Sequence, residues 1–275
     1  MKKIQLGRTG EQIPILGQGT WGIKVSGKKA HYEKWKQSLR RGIELGMTHM
    51  DTAEIYGAGT SERIVGEIIK EYDRDDLFIT SKLFPIHFGF KAMKKACLKS
   101  LKRLGIGTLD LYLIHFPSFI IPKIKKHMRL MEELLNEGKT RYIGVSNFSV
   151  KQFKQGQQSL KKTELVTNQL QASVSIQRHI HNSLPYYQKE GITLTAYSPL
   201  GHRGYNTLGG ELRSKLEQLG TTHNSTIQQI AIAWLINHKN VISIPKAIKI
   251  EHIEANAKAS EITLSQEELS LLYNT

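Results

Sequence analysis

Four side chains able to handle a proton, Asp51, Tyr56, Lys82 and His115, are the first chemistry in this chain. A tyrosine phenol ordinarily titrates near ~10, too high for efficient proton exchange at neutral pH. A neighbouring ammonium favours tyrosinate and lowers that value, while an aspartate beside the lysine keeps it charged and in place. A histidine at the same mouth could hydrogen-bond a substrate oxygen. Together they make a proton donor for a carbonyl, but no side chain delivers hydride, so a nicotinamide or flavin must. Singly, each residue has a plainer use. Asp51 before Thr52 suits a cap or turn, Tyr56 before Gly57 a loop aromatic, Lys82 the surface and His115 a satisfied core position.

Only a particular arrangement of elements would gather them. Apolar or β-branched runs at 15–21, 48–53, 77–82, 109–115, 141–146, 166–171, 193–197 and 241–245 read as strands. Between them lie helical patterns: 32–45 with Trp35, Leu39 and Ile43, 128–136 closed by Glu137-Gly138, and 227–236. Eight strands alternating with helices imply parallel pairing through right-handed crossovers. Roughly 250 residues is the usual size of a closed (β/α)8 TIM barrel, and the 275 residues here are read as one such domain, 1–275. An open doubly wound sheet would need GxGxxG after its first strand, and Gly17-Gln18-Gly19-Thr20-Trp21-Gly22 does not supply it in register. Two extended runs around Arg8-Thr9-Gly10 predict an N-terminal β-hairpin capping the barrel bottom. Catalytic groups in such barrels sit at the C-terminal ends of strands, where all four candidates fall.

Composition narrows the class further. Lys and Arg total 39 against 24 Asp and Glu, a formal charge of +15 that favours anionic ligands and phosphorylated cofactors. The basic residues are dispersed, with a local concentration at Lys123, Lys125 and Lys126, and no aromatic platform accompanies them. A solvated basic surface is therefore expected, and no nucleic-acid partner. The single cysteine, Cys97 in KKACLKS, reads as a helix residue and excludes a disulfide framework or multi-cysteine zinc site; no metal is expected. No apolar stretch approaches the ~20 residues of a membrane span, and no secretory h-region forms at the start. A cytoplasmic location follows.

The segment His49-Met50-Asp51-Thr52-Ala53-Glu54-Ile55-Tyr56-Gly57 closely resembles the aldo-keto reductase signature. Phe78-Ile79-Thr80-Ser81-Lys82-Leu83 resembles that family's lysine strand, and Leu111-Tyr112-Leu113-Ile114-His115 its histidine strand. Gly138-Lys139-Thr140-Arg141-Tyr142-Ile143-Gly144-Val145-Ser146-Asn147-Phe148 is a further long match, and the likeness to a short, prokaryotic-type member runs from the hairpin to Asn256. The resemblance implies an NAD(P)H-dependent oxidoreductase that reduces aldehydes and ketones, or oxidises alcohols in reverse. Tyr56 would be general acid/base, Lys82 and Asp51 its tuning pair, and His115 the substrate orienter. It further implies a dinucleotide stretched along the barrel top. Gly19, Thr20, Trp21 and Asp51 are among its contacts, Ser146, Asn147 and Gln169 hold the carboxamide, and Tyr197 stacks on the nicotinamide. Ser198, Pro199 and Leu200 lie toward the pyrophosphate, and Ile244, Pro245, Lys246, Ala247, His252 and Asn256 lie around the adenosine, with Lys246 at its 2′-phosphate.

Three positions depart from the family pattern: Ala247 replaces a hydroxyl residue, His252 an arginine and Ala255 an acid. Histidine lacks the guanidinium fork, so weaker discrimination is expected, with NADP(H) favoured and NAD(H) possible. By the same resemblance Trp21, Tyr56, Phe84, His115 and Phe116 line the substrate pocket, with phenylalanine at 84 and 116 where tryptophan is common. The short loop Pro117-Ser118-Phe119-Ile120-Ile121-Pro122 suggests an open cleft for aldehydes and small ketones, acidic or phosphorylated ones included. A non-catalytic nicotinamide-binding redox sensor is the alternative. Oligomeric state stays open between a monomer and a weak oligomer.

Overall fold

The computed structural model describes residues 1–87, 89–117, 124–201 and 209–273. The chain opens with a hairpin, β1 (Lys3–Gln5) antiparallel to β2 (Gln12–Pro14). Eight parallel strands follow in sequential order: β3 (Gln18–Gly19), β4 (His49–Asp51), β5 (Phe78–Leu83), β6 (Leu109–Ile114), β7 (Thr140–Ser146), β8 (Leu165–Gln171), β9 (Thr193–Tyr197) and β10 (Val241–Ser243). The order never reverses, which removes the switch point a doubly wound sheet requires. The ends meet: Gly17 N–H donates to Ser243 O at 2.8 Å, Ser243 N–H to Ile15 O at 3.0 Å and Gly19 N–H to Pro245 O at 3.0 Å. The sheet thus closes as the (β/α)8 barrel the alternation implied.

The first barrel strand is shorter than its apolar run. Its ladder with β4 is confined to Gln18 and Gly19, while on its other edge Ile15, Gly17 and Gly19 bond across the seam to Ser243 and Pro245. A Cβ at Gly19 would lie 2.8 Å from Ile244 O, so the seam closes only around a glycine.

Helices α1 (Lys29–Glu44), α2 (Thr60–Ile69), α3 (Phe90–Leu104), α4 (Ile124–Asn136), α5 (Val150–Ser159), α6 (Arg178–Asn182), α7 (Leu184–Lys189), α8 (Gly210–Thr222), α9 (Ile227–Ile236), α10 (Ile250–Lys258) and α11 (Gln266–Leu271), with short 3-10 turns at Tyr56–Gly59, Arg74–Asp76 and Ala259–Glu261, complete the described elements. The pattern read at 227–236 is α9, entered through a Thr226–Gln229 capping box. Those at 32–45 and 128–136 begin a few residues earlier, as α1 and α4, because their first turns carry little apolar signal. Gly138 stops α4 as expected: it takes φ 67°, and Lys139 N–H reaches back to Leu134 O at 2.8 Å. Cys97 is buried on α3, its thiol pushed up to about 12 by burial, which makes it a packing residue.

The hairpin plugs the barrel bottom. Its Leu6 and Ile13 pack with Phe78, Leu111, Leu113, Val166 and Ile242, and Gly7 N–H donates to Thr193 Oγ1 at 2.8 Å. From that floor the strand period of two raises a column toward the opposite end. On β5, Phe78 enters the floor, Thr80 meets His49 Nε2 at 2.9 Å, and Lys82 reaches Asp51. Alternation alone therefore brings a lysine inside the barrel at its C-terminal mouth.

Candidate active site

Asp51 ends β4, Lys82 lies one residue before the end of β5, and His115 follows β6. Lys82 is fully buried and its Nζ donates to Asp51 Oδ1 at 2.5 Å, Thr52 O at 2.9 Å and Tyr56 Oη at 3.4 Å. Tyr56 reaches this cluster through a tight turn in which Gly57 takes φ 54°; a Cβ there would lie 2.5 Å from Ile23 O. The His115 ring meets the Tyr56 ring edge-on at 5.6 Å and stacks on Phe116 at 4.6 Å. The four residues chosen from sequence therefore converge on one mouth.

Burial pushes the Tyr56 phenol above its ordinary range; the Lys82 ammonium pulls it back and Asp51 pushes it further. The expected lowering by lysine is present but outweighed by desolvation, so the resting phenol is a proton donor. Burial alone would lower Lys82, yet Asp51 and Tyr56 outweigh it and hold the ammonium above its usual range. His115 is lowered to about 3 by burial, with Lys82 adding to the effect, and its Nδ1 is buried without a partner among the described residues. It is a neutral imidazole throughout the physiological range.

A histidine depressed in the fold takes up its proton more readily when unfolded. Its contribution to stability is complete above the unfolded value near ~6.5 and is lost as pH falls toward the folded value of about 3. His115→Gln is accordingly expected to flatten the loss of stability between pH 6.5 and 4, read from urea midpoints across pH. An unchanged slope would place that acid sensitivity elsewhere, first at buried His49, lowered by burial to about 4.

Beside this cluster, the ends of β7 to β10 gather the residues expected at a nicotinamide dinucleotide. Ser146 Oγ donates to Gln169 O at 2.9 Å, and Asn147 Nδ2 donates to His115 O and Ser146 Oγ, both at 3.0 Å. Tyr197 Oη donates to Asn147 Oδ1 at 2.9 Å, which fixes a half-buried aromatic face. Gln169 Nε2 donates to Asp51 Oδ2 at 2.7 Å and ties this region to the lysine pair. Thr20 contributes from the β3 end, its N–H and Oγ1 donating to Asp51 O at 3.0 and 2.9 Å. Asn147 and Ser198 hold φ of 63° and 52°, strained values for non-glycine residues that recur where backbone is shaped around a ligand. Pro199 is buried behind this turn and Leu200 half-buried.

On the far side, Lys246 is exposed, with its Nζ 5.4 Å from the centroid of the Trp21 ring. Ile244 and Pro245 are buried at the seam. Ala247 is buried and its carbonyl accepts from Ser38 Oγ at 3.0 Å, so this position offers a ligand no side-chain hydroxyl. On α10, His252 is exposed and Asn256 buried. A fixed aromatic face, a row of amides and hydroxyls, and a lysine beyond them fit a dinucleotide with a phosphorylated adenosine.

Phe84 and Phe116 are half-buried, their rings 6.1 Å apart and edge-on, with Phe84 6.0 Å from the His115 ring. Trp21 is 58 % exposed on the opposite rim. Of the loop read at 117–122, residues 118–122 lie outside the described residues, as does Lys123.

The sequence reading passed over two carboxylates. Glu62 on α2 is fully buried, accepting from Ser81 Oγ at 2.6 Å and Arg103 Nε at 2.5 Å, and so braces the strand that carries Lys82. Glu54, between Asp51 and Tyr56, accepts from Phe84 N–H at 2.7 Å and from His87. Its signal was a charged residue inside an otherwise apolar loop, Ala53-Glu54-Ile55.

A closed (β/α)8 barrel with a Tyr–Lys–Asp–His cluster at its mouth and a row of amides and hydroxyls beside it is an oxidoreductase scaffold. The profile of the Aldo/keto reductase family matches residues 15–274, and the chain belongs to that family. A methylglyoxal reductase of Escherichia coli is 35% identical over 261 residues, covering 94% of this chain and 90% of its own. A thermostable aldo-keto reductase in complex with the inhibitor epalrestat superposes with a TM-score of 0.93 at 40% identity, covering 99% of this chain and 98% of that one. An aldo/keto reductase from Klebsiella pneumoniae in complex with NADP and acetate gives a TM-score of 0.87 at 35% identity, with 98% and 94% covered. No helix of the described residues is long and apolar enough to cross a membrane.

Proposed function

We propose that this chain is an NADP(H)-dependent carbonyl reductase acting on small aldehydes and ketones. The observation that carries the reading is Lys82 Nζ, buried between Asp51 at 2.5 Å and the Tyr56 hydroxyl at 3.4 Å, at the mouth of the barrel. NADP(H), when bound, supplies or accepts the hydride. Tyr56 gives its proton to the carbonyl oxygen, and the adjacent ammonium stabilises the phenolate left behind. Asp51 keeps Lys82 charged and aimed, itself steadied by Gln169. Neutral His115 donates a hydrogen bond through Nε2 to the same oxygen, since its Nδ1 is sealed. Phe84, Phe116 and Trp21 supply apolar walls that exclude water from the reacting atoms.

The methylglyoxal reductase among the relatives and the NADP carried by a structural neighbour support small dicarbonyls as first substrates and NADP(H) as cofactor. Absorbance loss of NADPH, then NADH, against methylglyoxal, glyoxal and a panel of aldehydes tests this. Turnover with preference for NADPH is expected. Tight NADPH binding without turnover of any carbonyl would favour a redox-sensing role instead.

Lys246 is the residue assigned to the 2′-phosphate. Lys246→Ala is expected to weaken NADPH about tenfold or more and to leave NADH nearly unchanged, because it removes one charge-assisted contact. Ala247 and the exposed His252 add little discrimination, so the variant should lose most of the preference. Equal weakening of both cofactors in fluorescence titrations would show that Lys246 serves the barrel rim rather than the phosphate.

A further inference from the structure

Glu54 stands at a junction the reaction itself does not use. It belongs to the loop that carries Tyr56, yet its carboxylate is committed to the next loop, which follows β5. Oε1 accepts the Phe84 N–H at 2.7 Å, and His87 Nε2 lies 3.0 and 3.1 Å from the two oxygens. The Nε2–H tautomer of His87 is the one that would donate to this carboxylate. The pair is largely withdrawn from solvent, with 13% of the Glu54 side chain and 28% of the His87 side chain exposed. What it holds is the backbone of Phe84, whose ring stands edge-on to both His115 and Phe116.

We infer that Glu54 and His87 form a brace that fixes Phe84 as one wall of the substrate pocket, making Glu54 a positioning residue that sets preference for larger apolar carbonyls. The inference rests on the reductase reading above. Without the brace, the loop after β5 is no longer tied to the Tyr56 loop through the Phe84 N–H. The wall then becomes adaptable rather than fixed, and binding a substrate that packs on Phe84 carries the entropy cost of ordering it. A substrate too small to reach that ring loses nothing. Tyr56, Lys82 and Asp51 are held by separate contacts and keep their geometry.

The test compares benzaldehyde with propanal at saturating NADPH in wild type, Glu54→Ala, Glu54→Gln and His87→Ala. Glu54→Ala is expected to raise the KM for benzaldehyde about tenfold, the scale of a lost charge-assisted hydrogen bond. Its kcat and its KM for propanal should stay within about twofold of wild type. Glu54→Gln retains an acceptor for the Phe84 N–H and should recover most of the difference, and His87→Ala should fall between. Equal KM changes for both aldehydes, or a fall in kcat for both at constant KM, would overturn the brace and mark a merely structural residue. Absence of wild-type turnover with these aldehydes and with methylglyoxal and glyoxal alike would sink the reductase reading and the inference with it.

Discussion

Tyr56→Phe is expected to lower kcat for aldehyde reduction by ~10²–10⁴-fold, the usual span of a positioned general acid. The substitution removes one oxygen and keeps the ring, which packs against His115 at 5.6 Å and lies 5.0 Å from Lys82 Nζ. Among the described residues the phenol oxygen accepts one long hydrogen bond, 3.4 Å from Lys82, so stability should change by about 1 kcal/mol or less. NADPH affinity should stay within about twofold, since the hydroxyl is not assigned to the cofactor. His115 cannot substitute as the acid, because a side chain lowered to about 3 carries no surplus proton at neutral pH. With the Tyr56 phenol held above its ordinary range, wild-type reduction should be insensitive to this group from pH 6 to 9 and decline only in strong base. Steady-state rates for both proteins, with NADPH binding measured separately, decide it. A variant retaining more than about a tenth of wild-type kcat would mean the proton comes from water or another side chain.

Much of this site was legible because strand alternation and the positions of strand ends point to the same residues. Strand alternation sends His49 with Asp51, and Phe78, Thr80 and Lys82, to one face, so residue types alone place the lysine inside the barrel. The rule that barrel chemistry sits at C-terminal strand ends then selects Tyr56 and His115. The net direction of the tyrosine shift was not legible. It depends on how deeply the phenol is buried against how near the ammonium lies, and no spacing in sequence encodes that balance.

Short elements were misjudged for a related reason. Hydrophobic runs mark what is buried, whereas strand ends are set by hydrogen-bond pairing, so the run at 15–21 carries a ladder with β4 at Gln18 and Gly19 alone. The brace between Glu54 and His87 joins residues 33 apart through two loops, and Glu62 meets Arg103 across 41. Neither pair has a periodic signature. The Gln169–Asp51 bond also lay beyond the sequence reading, which gave Gln169 to the carboxamide alone; its side chain sits between the cofactor row and the proton-handling pair.

Lys82→Met is expected to destabilise the fold by ~3–5 kcal/mol as well as to remove nearly all activity, because Asp51 would remain as a buried, uncompensated carboxylate. Asp51→Leu should be as harmful for the opposite reason, leaving a fully buried ammonium with, among the described residues, Thr52 O and Tyr56 Oη as its remaining acceptors. The informative protein is the double variant Asp51→Leu with Lys82→Met. Replacing both ions with apolar groups removes the desolvation penalty together with the attraction, and such exchanges are often neutral or stabilising. Here recovery should be incomplete, since Gln169 Nε2 and Thr52 O also lose their partners. Urea unfolding should therefore place the double variant above either single one and somewhat below wild type, while NADPH-dependent turnover stays absent. If the double variant were as unstable as the two single losses summed, the two ions would support the barrel mouth independently, with no coupling between them. Recovered stability without recovered turnover would instead mean that two buried charges persist here for what they do to Tyr56 more than for what they do for the fold.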